Sequence, residues 1–276
     1  VYNPIVLKTR NLPDLNRLSV LAAAILLAYA LARFIDIPPR SIEFQLLGIY
    51  LPIELNTYTL VAFLVAGLTA TGADWLLRDH PHLRQKYPVE HWLLPALTAW
   101  VIGLPLFQLP LGLSWWLGIF LGAILLMLIL VAEYITVDPN DLRHPIAAAG
   151  LTALSFSLFL MLAIAIRFAG WRLVLVLPAL TLASWLVSLR TLHLRLKGTW
   201  AFVQAGLVAL ISAQIVAALH YMPLSPLTFG FILIAPVYAL TSLMANLIEN
   251  IPIRRAIIEP ALIFTLLLFT AVLFRE

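Results

Sequence analysis

The chain has 276 residues, 63% of them apolar and only 11% charged, a net charge of +4 and no cysteine. So few charges cannot cover a water-facing globular surface. The missing thiols exclude disulfides, thiolate catalysis and cysteine-held zinc or iron–sulfur clusters. The scattered charges do not form a nucleic-acid-binding surface, and long unbroken apolar runs exclude a β-barrel. The expected fold class is an all-α polytopic transmembrane helical bundle of about nine spans, read as a single integral membrane domain over 1–276.

In chain order, residues 1–16 read as a short interfacial arm, and the first span runs from Arg17 to Ile35, with Asp14 or Asn16 as N-cap. The run Leu18–Ala32 behind Arg17 also has the form of a secretory signal, but is read as a membrane helix. Residues 41–56 alternate with period 2: Ile42, Phe44 and Leu46 against Glu43 and Gln45, then Ile49, Leu51, Ile53 and Leu55 against Tyr50, Pro52 and Glu54. This predicts an interfacial β-hairpin turning at Gly48, with an amphipathic helix as the competing reading.

Further spans are expected at Thr57–Leu77, Trp92–Leu109, Leu113–Tyr134, Pro145–Phe168, Trp171–Leu189, Thr199–His220, Pro226–Ile248 and Pro252–Phe274. With the N-terminus inside and the C-terminus outside, twelve Lys and Arg fall on the cytoplasmic side and five outside. That asymmetry is what the positive-inside rule produces over short loops.

Under this topology the dense polar sequence is cytoplasmic. One stretch supplies Asp74, Arg78, Asp79, His80, His82, Glu90 and His91. The next inner loop region supplies Glu133, Asp138, Asp141, Arg143 and His144, and a third supplies Asn246, Glu249, Asn250, Arg254, Arg255 and Glu259. From these, Asp74, Arg78, Glu133, Glu249, Arg255 and Glu259 form the candidate polar cluster. Asp74–Arg78 and Arg255–Glu259 are each four apart, the spacing that places a carboxylate and a guanidinium on one helix face. Such pairs could tie helices together or hold a lipid headgroup, ion or proton.

Asp79, His80 and His82 are weak metal-ligand candidates, because Pro81 prevents a regular scaffold spacing; no resident metal or cofactor is expected. Asp138-Pro139-Asn140-Asp141 resembles the Asp-x-x-Asp pattern of magnesium-diphosphate enzymes, and the nine spans are similar to those of the membrane aromatic prenyltransferases. Those enzymes carry a second acidic motif after the sixth helix, where Arg190–Gly198 has no acid. The simpler reading has Asp138 capping a short helix with Pro139 at its first position.

Gly118 and Gly122 permit a close helix approach, expected to serve packing within the chain. Gln108, Gln204, Gln214 and Asn246 are expected to hydrogen-bond between spans. His220 is a candidate pigment or haem ligand, or an interfacial residue beside Tyr221. Pro105, Pro178 and Pro236 could break helices near mid-membrane.

The pattern Ala73-Asp74-Trp75-Leu76-Leu77-Arg78-Asp79-His80-Pro81, with the segment Asn246–Glu259, resembles an uncharacterised family of bacterial multi-spanning integral membrane proteins. The resemblance implies the fold class and a multi-pass cell-membrane location, the bacterial inner membrane, and no activity. The functional expectation is a non-catalytic subunit, scaffold or assembly factor with a polar cytoplasmic face. The alternatives are a transporter or lipid-handling protein using the carboxylate–arginine pairs, and an enzyme acting on a lipid-linked phosphate. Expected partners are membrane lipids and other integral membrane subunits, not nucleic acid.

Overall fold

The computed structural model describes residues 13–35, 38, 40–46, 49–55, 57–78, 91–196 and 198–274. Most of the expected arm, the loop from Asp79 to Glu90, and Gly48 of the expected turn lie outside them. Among the described residues eight helices are long and apolar enough to cross a membrane. A shorter apolar helix after the second brings the bundle to about nine spans.

The chain divides into two compact units, Val1–Ala147 and Ala148–Glu276. The first holds α1 (Leu15–Ala32), α2 (Thr57–Leu77), α3 (Leu93–Gln108) and α4 (Leu113–Thr136). Asp14 caps α1, its Oδ1 accepting from the Asn16 amide at 2.9 Å. The unit's core joins Leu21, Ile25 and Tyr29 of α1 to Val65 and Leu76 of α2, Ala99 and Leu106 of α3, and Trp115, Ile119 and Leu126 of α4. Small residues let these helices approach closely: a Cβ on Gly118 would lie 2.9 Å from Leu106, and one on Gly122 2.8 Å from Ile102. The Gly118–Gly122 pair therefore seats α3 on α4, an intramolecular role.

α5 (His144–Phe168) begins at the end of the first unit and continues into the second. The second unit also holds α6 (Leu173–Arg195), α7 (Phe202–His220), α8 (Pro226–Ile248), α9 (Ile253–Ala256) and α10 (Ile258–Leu273). Its core gathers Phe159, Leu180, Val208, Phe229, Leu233 and Val237. Leu262, Leu266 and Phe269 of α10 remain exposed, as suits helices whose outer faces meet lipid.

Three expectations are corrected. First, the fold class counted an interfacial hairpin at 41–56. The backbone is extended there, with Arg40–Leu46 running antiparallel to Ile49–Leu55. That ribbon joins no third strand among the described residues, and a lone two-stranded ribbon is marginal at best as an independent element. It builds no β layer, so the class is an all-α polytopic membrane bundle with no hairpin as an architectural component. The competing amphipathic helix is not formed either.

Second, α6 continues to Arg195 rather than stopping at Leu189. The charge at Arg190 reads as a helix end, yet Arg190, Thr191, Leu192, His193 and Leu194 are all buried in packed helix. Third, the last span is broken at Ile257. Pro260 has no amide hydrogen, so the Ala256 carbonyl loses its helical donor. Asn246 Nδ2 supplies the missing hydrogen bond to that carbonyl at 2.8 Å.

The end of α8 is set just as locally. Asn250 adopts φ +58°, its amide donates to the Leu247 carbonyl, and the Ile251 amide donates to the Asn246 carbonyl. This is a Schellman closure with Asn in the left-handed position usually taken by Gly.

Candidate functional site

Within the first unit, charged residues gather where α1 and α3 begin and α2 and α4 end. Arg17 Nη1 donates to the Trp75 carbonyl at 3.3 Å, and its guanidinium lies 4.9 Å from the centre of the Trp75 ring. This couples the start of α1 to the end of α2. Asp74 and Arg78 form the expected i, i+4 pair, with Arg78 Nη2 2.6 Å and Nε 2.7 Å from Asp74 Oδ2. The Asp74 side chain is 14% exposed and the Arg78 side chain 72%, so the pair sits at the membrane edge.

Glu133 lies about one turn inside the end of α4 and is fully buried. Its Oε2 is 2.6 Å from His91 Nδ1, just before α3, with side-chain exposures of 1% and 7%. This is a short hydrogen bond enclosed on both sides, its donor set by the imidazole tautomer. The two residues are 42 positions apart, and sequence periodicity carries no signal for such a pairing.

Beyond α4 the acids of 138–141 build turns. Asp138 Oδ1 accepts from the Asn140 amide at 3.0 Å, and Asp141 Oδ1 from the Arg143 amide at 2.9 Å. The expected short helix is replaced by these successive side-chain-closed turns. Asp141 also grips Arg143 through two oxygens, at 3.1 and 2.7 Å. That hydrogen bonding raises the Arg143 guanidinium above its ordinary pKa, against a smaller opposing effect of burial.

In the second unit Arg195, the last residue of α6, reaches across to α8. It donates to both oxygens of Glu249 at 3.1 Å, to Ser242 Oγ at 3.4 Å and to Asn246 Oδ1. Asn246 carries this network on to the broken last span through the Ala256 carbonyl. Deeper along the same helix pair, Ser188 and Thr241 share a buried hydrogen bond of 2.9 Å. His193 stacks on Trp200 at 4.1 Å between ring centres, and Trp200 stacks on Phe202 at 5.5 Å.

Arg255 and Glu259 do not form the expected pair. Glu259 Oε1 instead accepts from Tyr238 Oη at 3.1 Å. Arg255 is exposed. Of the six candidate cluster residues, Asp74, Arg78 and Glu133 belong to one unit and Glu249, Arg255 and Glu259 to the other.

The opposite helix ends are closed by donors of a different kind. Arg167 donates to the carbonyls of His220 and Met222 at 2.7 and 2.6 Å, satisfying the end of α7. Ser225 and Thr228 donate to the Phe274 carbonyl at the end of α10. His220 lies edge-on to Tyr221. Gln204 is half-buried and Gln214 exposed, and among the described residues neither bonds between helices. Asp79, His80 and His82, the weak metal candidates, lie outside the described residues.

The profile of one protein family, described as "Protein of unknown function (DUF5656)", matches residues 37–274. The chain belongs to that family. The DUF5656 match takes in α2 through α10, so both cross-helix networks lie inside it and α1 precedes it. No curated protein and no solved structure matches the chain. The DUF5656 chain is thus a multi-spanning membrane protein with buried polar and charged residues, among which Glu133, His91 and His144 lie at or near helix ends.

Proposed function

We propose that the protein is a non-catalytic integral membrane subunit, scaffold or assembly factor, a single multi-pass domain of the bacterial inner membrane with N-in/C-out topology. The observation that supports this is how the candidate acids are engaged. Asp74 is held by Arg78, Glu133 by His91, Glu249 by Arg195 and Glu259 by Tyr238. Three of those bonds join different helices, so the acids are used to fix helix ends. Under the positive-inside topology the polar ends face the cytoplasm and would meet a partner there, with other membrane subunits and lipids as the surrounding contacts.

A second reading, a transporter or lipid-handling protein, draws on the enclosed His91–Glu133 pair as a proton or ligand site. One experiment separates them. Asp74→Asn, Glu133→Gln, Glu249→Gln and Glu259→Gln are made in the full chain and reconstituted in vesicles. The scaffold reading expects each to change stability and none to abolish a proton or solute flux that the wild type shows. A variant that keeps wild-type stability and loses such a flux would refute it.

A further inference from the structure

Arg254 and Arg255 stand on α9, the short helix between α8 and α10, both exposed, and among the described residues neither pairs with a carboxylate. The acids on either side are engaged elsewhere: Glu249 by Arg195 and Glu259 by Tyr238. Two neighbouring guanidiniums are therefore left at the edge of an apolar span. Their planar forks match phosphate oxygens better than any neutral headgroup.

Directly beyond them an apolar stripe begins. Ile258, Leu262, Leu266 and Phe269 follow at spacings of four, four and three, which keeps them on one face of α10. They are 58%, 67%, 62% and 61% exposed. From Ile258 to Phe269 the stripe runs about 16 Å at ~1.5 Å per residue, close to one leaflet of a hydrocarbon core ~30 Å thick. A phosphate-binding pair heading a track one leaflet long fits an acyl chain joined to a phosphate. It does not fit a free anion, which has no use for the track.

We infer that this edge of the second unit is a binding site for an anionic phospholipid. The headgroup phosphate lies on Arg254 and Arg255, and an acyl chain lies along the α10 stripe. The inference goes beyond the scaffold reading and does not depend on it.

The test uses the full chain in detergent, titrated with phosphatidylglycerol or phosphatidylcholine and read by native mass spectrometry. An arginine at an anionic membrane surface is worth about a fivefold preference, so the pair should favour phosphatidylglycerol about 25-fold. The double variant Arg254→Gln/Arg255→Gln should lose that preference with unchanged helical content, while Ser157→Ala, on the exposed side of α5, should keep it. A double variant that folds and still prefers phosphatidylglycerol as the wild type does overturns the site. Should that variant fail to fold, the wild type still decides: its preference must weaken as ionic strength rises, and a salt-insensitive preference overturns the site. Displacement of the lipid by millimolar inorganic phosphate would also overturn it, by showing that the track contributes nothing.

Discussion

Replacing His91 by Leu removes a hydrogen-bond partner of the most enclosed acid in the first unit. Glu133 is left with a side chain 1% exposed and without the imidazole 2.6 Å away. If the pair is ionic, breaking it should cost about 3–5 kcal/mol. If it is an ordinary neutral hydrogen bond, the cost is far smaller, averaging about 0.6 kcal/mol and reaching about 1.7 between membrane helices. The two cases are well separated, and the 2.6 Å contact favours the first. The double variant His91→Leu/Glu133→Leu removes both groups, and apolar replacement of a whole buried pair is often close to neutral. A double-mutant cycle on the full chain, unfolded reversibly by sodium dodecyl sulfate in mixed micelles and followed by far-ultraviolet circular dichroism, should give a coupling of about 2–3 kcal/mol. A coupling below about 0.6 kcal/mol would refute the ionic assignment and demote the pair to one polar contact among many.

Other perturbations test the packing and the second network by the same unfolding measurement. Asn246→Ala removes the donor to the Ala256 carbonyl and should cost about 1–3 kcal/mol. Adding Pro260→Ala to that variant should recover part of the loss, because residue 260 then supplies its own amide hydrogen; no recovery would contradict the account of the break. Gly230→Ala places a Cβ 2.8 Å from Ile164 and 2.9 Å from Leu160 and should cost about 1–3 kcal/mol by overpacking, whereas Gly150→Ala, with open space around it, should be tolerated. Asp74→Asn should cost less than about 1 kcal/mol, since Arg78 is mostly in solvent.

How far the sequence predicts this structure depends on the range of the interaction concerned. The bounds of α8 are readable because Ser225-Pro226 opens it and Asn250 closes it, both local signals. The end of α6 is misread because Arg190 is charged, and a charge normally marks the membrane edge; here packing against neighbouring helices buries it. Asp74–Arg78 is legible because the helical bond from the Arg78 amide to the Asp74 carbonyl keeps both on one face. Arg255–Glu259 has the same spacing and does not pair, because Glu259 accepts from Tyr238 of the neighbouring α8 instead. The expectation at 41–56 is corrected for another reason: period-2 alternation specifies an extended backbone but supplies no second layer for it to pack on, so the ribbon adds nothing to the all-α class. Bonds across tens of residues, His91–Glu133 and Arg195–Glu249, leave no local trace at all.

These misreadings share a physical origin that bears on function. A charge near a helix end needs a partner once packing draws it away from water, and the nearest acceptors belong to neighbouring helices rather than to the same segment. Glu133 and Arg195 meet that need across helices within their own units, and Asn246 meets the equivalent need of a backbone carbonyl freed by Pro260. Residues committed in this way are poor sites for a mobile ligand, since displacing the partner would leave a helix end unsatisfied. Arg254 and Arg255 carry no such commitment among the described residues, and the neighbouring Glu259 is engaged by Tyr238 instead.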